Sequence, residues 1–142
     1  MRLFARVFVL AVLAVATSGC NTLPDLSGNK GWSPSASGDV DWHVVVHNLG
    51  TEEAKGAFRV VIGVHGTRTD GTPFGGEQSY TFPTTTVIPA GGVVHSPTLV
   101  TTPMLKCPRQ YSEVTVLTDT NTQILESNET NNNEQTKVFC IP

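Results

Sequence analysis

The chain has 142 residues and a formal net charge of −3, from nine Lys and Arg against twelve Asp and Glu. This length is enough for one domain with one hydrophobic core. No cluster of basic residues is present, which argues against nucleic acid as a partner. Charged residues make up only 15% of the chain, while Thr, Val, Gly, Pro and Asn are frequent, a composition typical of β-strands joined by turns.

The first segment has the features of an export signal. Arg2 and Arg6 supply positive charge before the apolar run 7–16. This run is far shorter than the roughly 20 residues that a membrane-spanning helix needs. We therefore predict a cleaved signal peptide over residues 1–19.

The small residues before Cys20 resemble the end of a bacterial lipoprotein signal. The resemblance implies that the Cys20 thiol carries the lipid and that this residue becomes the first of the mature chain. Thr17 stands where an aliphatic residue is usual, so an ordinary secretory signal is the alternative. Asn21, rather than Asp, follows the cysteine, which implies sorting to the outer membrane of a Gram-negative envelope, on its periplasmic or surface face.

The other two cysteines form a natural pair if Cys20 is lipidated. In an oxidising compartment, Cys107 and Cys140 most simply form one disulfide, and a metal site is the alternative. The bond would close a loop of 34 residues, worth about 3–4 kcal/mol in the chain-entropy model.

The segment 20–37 is rich in small and turn-forming residues. We predict a flexible tether there, with the option of a short edge strand near residues 23–27, followed by one domain over residues 38–142.

From residue 38 onward, short stretches with alternating apolar residues predict strands. About seven of them, separated by turn signals every 8–12 residues, indicate an all-β fold, an antiparallel β-sandwich of the immunoglobulin-like type. In the loop 48–56, Asn48 and Gly50 are the expected positive-φ positions. The residues predicted to face the core are Trp42, Val44, Val46, Phe58, Val60, Ile62 and Val64, and Val114 and Val116 are predicted to share one strand face.

Several of these stretches together resemble the bacterial cell-adhesion-related domain, the CARDB family. The first two are "VVVHNLGTEEAKGAFRVVI" and "IPAGG", and the third is "VTVLTDTNTQILESNETNN". The resemblance covers roughly residues 24–139 and implies an immunoglobulin-like sandwich that serves as a non-catalytic module for adhesion, display or surface interactions. The cysteine pair 107 and 140 and the longer stretch 67–77 depart from the family pattern.

The most polar segment of the chain precedes the last strand. Its oxygen-bearing side chains suit Ca²⁺, but the EF-hand register fails, because Ile124 stands where Gly is needed and Thr130 where a Glu is needed. We interpret the segment as a structural turn in which Ile124 or Leu125 docks into the core and polar side chains bond to the backbone. A calcium site and direct contact with a partner are the alternatives. The residues of this signature turn are Asp119, Asn121, Glu126, Asn128, Glu129, Asn131 and Asn132.

Elsewhere the sequence carries no catalytic motif, and we predict no enzyme activity, no cofactor and no metal. His43 and His47 are four residues apart on one strand, about 13 Å at 3.3 Å per residue. They are interpreted as exposed strand-face residues, unable to share a metal unless His65 or His95 approaches one of them. Phe74 is the possible contact residue, at the tip of a predicted hairpin loop.

The predicted function is that of a non-enzymatic lipoprotein mediating adhesion, or binding a protein or a glycan, at the bacterial cell envelope. The membrane, reached through the N-terminal lipid, is one expected partner, and an unknown envelope protein or glycan is the other. The alternatives are a structural or assembly accessory lipoprotein of an envelope complex and a calcium-modulated secreted binding protein.

Overall fold

The computed structural model describes residues 22–68, 70–104 and 112–138, and in these ranges all regular structure is β. None of these residues forms a helix, so none forms a helix able to span a membrane. The strands are β1 (Leu26–Pro34), β2 (Val40–Asn48), β3 (Ala54–Lys55), β4 (Phe58–Thr67), β5 (Pro73–Phe82), β6 (Val87–Ile88), β7 (Val93–His95), β8 (Val100–Thr102), β9 (Ser112–Leu117) and β10 (Asn133–Val138).

Two four-stranded sheets form the domain. In the first sheet, β2 lies between β1 on one side and β7 and β8 on the other. The second sheet has the order β10-β9-β4-β5, and β3 and β6 form a separate small pair. Every strand pair is antiparallel, as the sequence predicted.

One hydrophobic core lies between the two sheets, and the predicted core residues are confirmed. The alternate residues of β2 and β4 that were expected to face inward are buried, and so are Val114 and Val116 of β9. Trp42 is fully buried, and its indole N–H donates a hydrogen bond to Thr102 Oγ1 at 2.8 Å. Phe58 stacks on Phe82 with 4.6 Å between ring centroids. This burial on both sheets provides the main stabilisation of the fold.

The described residues contain ten strands rather than about seven, partly because one predicted strand is divided. The apolar residues of the stretch 93–100 favour one strand, but the stretch breaks around Ser96 into β7 and β8, which both pair with β2. At the break, the Val44 N–H donates to the Ser96 hydroxyl at 2.9 Å, and the Ser96 N–H donates to the Val44 carbonyl at 2.9 Å. The side chain therefore completes the backbone hydrogen bonding where the strand is interrupted.

The segment predicted to be a tether over residues 20–37 contains a full strand. Strand β1 extends over nine residues and pairs with β2 along its whole length. Leu26 is fully buried, so the ordered domain begins well before residue 38. The small residues of this segment led to the prediction of a flexible tether. At position 28, however, the small residue is a glycine that allows β1 to pack closely. A Cβ at Gly28 would lie only 1.9 Å from Oγ1 of Thr118, the residue that follows β9.

The turn-rich stretch after β4 is a hairpin, as predicted, but its loop is short. Strands β4 and β5 pair from Phe58↔Phe82 to Thr67↔Pro73. The Arg68 N–H donates to the Thr72 carbonyl at 2.8 Å, and Gly71 has a φ of 87° in the turn. Strand β5 therefore starts at Pro73, and Phe74 lies within it instead of at the loop tip.

Candidate functional site

The Asn-rich segment after β9 consists of turns around one buried apolar side chain. Ile124 is 6% exposed and packs in the core, whereas Leu125 is 73% exposed. The predicted docking of one of these two residues is thereby confirmed. Anchoring at Ile124 divides the segment between β9 and β10 into two shorter turns.

Asp119 organises the first of these turns. It is 2% exposed and has a φ of 44°, a conformation that Asp tolerates better than most residues. Its two carboxylate oxygens accept the backbone N–H groups of Gln123, at 3.0 Å, and Ile124, at 2.9 Å. The Asp119 carboxylate thus satisfies backbone donors that have no partner in a sheet.

Glu126 links the second turn to the start of the first strand. Its Oε2 accepts the buried N–H of Leu26 at 2.6 Å, and its Oε1 accepts a hydrogen bond from the Asn132 side-chain amide at 3.2 Å. Burial raises the pKa of Glu126 to about 7, against the opposing effect of these hydrogen bonds. The negative charges of Glu129 and Asp119 raise this pKa further.

The other members of the signature turn also bond locally. Glu129 accepts the Glu126 N–H at 3.2 Å, and Asn128 Oδ1 accepts the Thr130 N–H at 3.1 Å. The Asn131 amide donates to the Asp25 carboxylate at 2.7 Å, which gives a second link to the chain before β1. Asn121 is exposed at the first turn, where its carbonyl accepts the Thr122 hydroxyl at 2.8 Å.

A shallow cleft of about 330 Å³ lies beside these turns. Leu117 and Thr122 form part of its lining together with the polar residues Asp119, Glu129 and Asn132. The structure therefore brings Asp119, Glu129 and Asn132 to one surface depression, while Asp119 keeps its carboxylate bonded to backbone N–H groups.

Asn48 has a role that sequence reasoning missed. Neither it nor Gly50 has a positive φ, so that prediction is wrong. Asn48 is fully buried, and its Oδ1 accepts the N–H groups of Asp25 and Gly50, both at 3.1 Å. Its Nδ2 donates to the carbonyls of Glu52, at 2.7 Å, and Ile88, at 3.0 Å.

Glycine is required at position 50 because the backbone before β1 lies very close to it, and not because of its φ. A Cβ there would lie 2.4 Å from the Leu23 carbonyl oxygen. In the Asn-x-Gly pattern, Asn48 is therefore a buried polar side chain, and Gly50 allows the chain before β1 to lie close to the loop. The pattern is visible in the sequence, but nothing in it indicates that the Asn48 amide is buried.

The structure brings together two of the four histidines. His43 Nε2 and His95 Nδ1 are 3.4 Å apart, whereas His65 lies on β4 in the other sheet. His47 is on the same strand as His43 but four residues further along it. Among the residues that the structure describes, no group of three His, Cys, Asp or Glu side chains is placed to hold a metal ion.

Phe74 is half-buried and lies near the start of β5. The Arg68 guanidinium carbon is 6.0 Å from the centroid of its ring, the outer limit of a cation–π contact. Its possible contact role stays a prediction. Cys20, Cys107 and Cys140 lie outside the described residues, so lipidation and the disulfide stay predictions as well.

Comparisons with known proteins identify one matching family. The model of one protein family, described as CARDB, matches residues 23–136. Among solved structures, the chain is similar to the CARDB domain of a Pyrococcus furiosus protein crystallised in complex with di-metal ions. The two share 18% sequence identity with a TM-score of 0.44, over 83% of this chain and 94% of that chain. A comparison with curated proteins found no match.

Proposed function

The chain belongs to the CARDB family, and from this premise we propose that it is an exported, non-enzymatic lipoprotein whose immunoglobulin-like domain mediates adhesion or binding at the bacterial cell envelope. The carboxylates of Asp119 and Glu126 have a structural role, because both accept backbone N–H groups within the fold, and so they do not argue for catalysis. The signal-like segment 1–19 and Cys20 support export and lipid attachment.

The observation that carries this proposal is a pair of exposed leucines at one end of the domain. Leu49 is 63% exposed and Leu125 is 73% exposed. Both lie on turns that are bonded to the chain just before β1: the Leu49 N–H donates to the Asp25 carbonyl at 2.7 Å, and the Ser127 N–H donates to the Pro24 carbonyl at 2.9 Å.

Apolar side chains held on anchored turns favour a protein partner over a glycan. Binding loses less conformational freedom when the contact residues are already fixed, and interface cores are depleted of charge. We name the residues Leu49 and Leu125 the leucine surface.

The leucine surface lies at the end of the domain that is closest to the proposed lipid. Only three residues lie between Cys20 and Pro24, so the two Cα atoms are at most about 14 Å apart in a fully extended chain. A lipid at Cys20 would therefore hold this surface near the membrane, and the matching partner would be an envelope protein that is itself close to the bilayer.

Site-specific photo-crosslinking in living cells tests the proposed contact. A crosslinking amino acid at position 125 or 49 is expected to capture a discrete envelope protein. The same amino acid at Thr67, which is exposed at the far end of β4, is the matched control and should capture none. Equal adducts from Thr67 and Leu125, or none from either leucine position, would contradict the contact. In the second case, glycan binding that is lost in Leu125→Asp would favour the glycan alternative.

A separate experiment tests lipid attachment. Labelled palmitate should enter the wild-type protein and be lost in Cys20→Ala, with Cys107→Ala as the control that retains the label. Absence of label from the wild type would show that the signal is an ordinary secretory one.

A further inference from the structure

Two histidines from neighbouring strands meet on the outer face of the first sheet. His43 lies on β2 and His95 on β7, and the register pairs His95 with Val45, two residues beyond His43. The ring centroids are 5.5 Å apart with a tilt of 38° between the planes. The nitrogens that face each other are His43 Nε2 and His95 Nδ1, at 3.4 Å.

This separation is long for a hydrogen bond and suited to a shared metal ion. Nitrogen donors in proteins are typically about 2.9–3.0 Å from their acceptors, so the two rings are only weakly bonded to each other. Zn–N bonds of about 2.0–2.1 Å with tetrahedral angles place two bound nitrogens about 3.3–3.4 Å apart. The observed distance of 3.4 Å between His43 Nε2 and His95 Nδ1 matches this nitrogen–nitrogen separation.

Gly31 leaves the space that the His43 side chain occupies. Gly31 of β1 is the partner of His43 in the sheet register. A Cβ at Gly31 would lie 2.2 Å from His43 Nε2, so any other residue there would displace the imidazole. Gly31 has no positive φ. Glycine is therefore needed in this strand for the space that it leaves beside His43, and not for its conformational freedom.

The two rings are accessible from solvent. His95 is exposed and His43 is half-buried, so an ion can reach the pair from solvent.

The protein supplies two ligands at this place. Asp41 is on the same face of β2, but its carboxylate accepts the Thr101 hydroxyl at 2.7 Å. Within the described ranges, no third His, Cys, Asp or Glu completes a metal-binding group with the pair. The remaining coordination positions would therefore face solvent and accept water or a group from a partner.

We propose that His43 and His95 form a binding site for one divalent transition-metal ion of the Zn²⁺ type, held through His43 Nε2 and His95 Nδ1. Imidazole nitrogen suits Zn²⁺, Cu²⁺ and Ni²⁺ and is a poor ligand for Ca²⁺ and Mg²⁺. The site lies on the face of the first sheet and is distinct from the Asn-rich turns and from the leucine surface.

Calorimetric titration of the purified full-length protein with ZnCl₂ tests the site, after alkylation of the thiols so that cysteine cannot bind the ion. The wild type should bind one Zn²⁺ saturably. His43→Gln and His95→Gln should each weaken binding at least tenfold. His47→Gln, on the same strand and face, is the matched control and should bind as the wild type does.

A positioning variant separates geometry from ligand identity. Gly31→Ala keeps both histidines but displaces the His43 ring, and it should also weaken Zn²⁺ binding. A thermal melt with ZnCl₂ gives a second measurement, because a ligand of the folded state raises the melting temperature. This rise should be present in the wild type and in His47→Gln, and absent in His95→Gln, whose exposed side chain is not needed for folding.

The proposal is overturned if the wild type shows no saturable Zn²⁺ binding at millimolar ion. It is equally overturned if His43→Gln and His95→Gln bind as tightly as the wild type, or if His47→Gln weakens binding as much as they do.

Discussion

The Glu126 carboxylate accepts the backbone N–H of Leu26 at 2.6 Å, across 100 residues of sequence. This hydrogen bond joins the Asn-rich turns to the first residue of β1. A second bond, from the Asn131 amide to the Asp25 carboxylate, lies beside it. The signature turn thus fixes the start of the domain as well as the entry into its last strand.

Removing this carboxylate should destabilise the domain. In Glu126→Ala the buried Leu26 N–H loses its acceptor, and we expect the free energy of unfolding to fall by about 1–3 kcal/mol. Glu126→Gln keeps an acceptor and should cost less. Denaturant unfolding measures both, with the exposed Glu77→Ala as control. A loss in Glu77→Ala as large as that in Glu126→Ala would contradict the assignment.

The same residue should make stability depend on pH. The pKa of Glu126 is raised from 4.5 to about 7, so the folded state holds this proton more tightly than the unfolded state. Its contribution to stability is therefore fully present below about pH 4.5 and is lost as the pH rises through about 7.

We expect the free energy of unfolding to fall over this pH range and the fall to be smaller in Glu126→Gln. His43 acts in the opposite direction, because its lowered pKa gives a contribution that is present above pH 6.5 and lost as the pH falls. The comparison is therefore best made in a His43→Gln background. An equal fall with and without Glu126 would assign the effect to other groups.

Two buried threonines should respond oppositely to the same substitution. Thr118 Oγ1 is buried without a hydrogen-bond partner in the described part of the chain, whereas Thr102 Oγ1 accepts the Trp42 indole N–H. Thr118→Val should raise the free energy of unfolding by about 1 kcal/mol, and Thr102→Val should lower it by about 1–3 kcal/mol. Thermal melts of the two variants serve as controls for each other. A lower melting temperature in Thr118→Val would contradict the prediction.

The buried amide of Asn48 should be among the costliest side chains to remove. Asn48→Ala leaves two N–H groups and two carbonyls without this partner, and we expect a loss of about 2–4 kcal/mol. The exposed Asn29→Ala is the matched control and should change stability by less than about 0.5 kcal/mol. Equal effects of the two variants would show that the Asn48 hydrogen bonds contribute little.

Calcium should leave the melting temperature unchanged. Both Asp119 carboxylate oxygens already accept backbone N–H groups, and Ca²⁺ would have to compete with these hydrogen bonds for the oxygens. Thermal melts in millimolar CaCl₂ and in EDTA measure this. A higher melting temperature in CaCl₂, absent in Asp119→Asn, would establish the calcium alternative instead.

The alternation of apolar residues determined much of the fold. It placed Trp42, Val44 and Val46 in the core, because side chains alternate between the two faces of a strand. The two apolar residues within a polar run predicted that Ile124 or Leu125 would anchor the turn. The family resemblance, also read from sequence, agrees with the family match over residues 23–136.

Tertiary structure decided the features that depend on contacts between distant segments. Sequence composition favoured a tether where β1 lies, because the small residues that allow β1 to pack also occur in flexible chain. The Glu126–Leu26 bond, the Asn48–Ile88 bond and the contact of His43 with His95 each join residues 40 or more positions apart. Local periodicity carries no information about such pairs, since strand order and register bring them together.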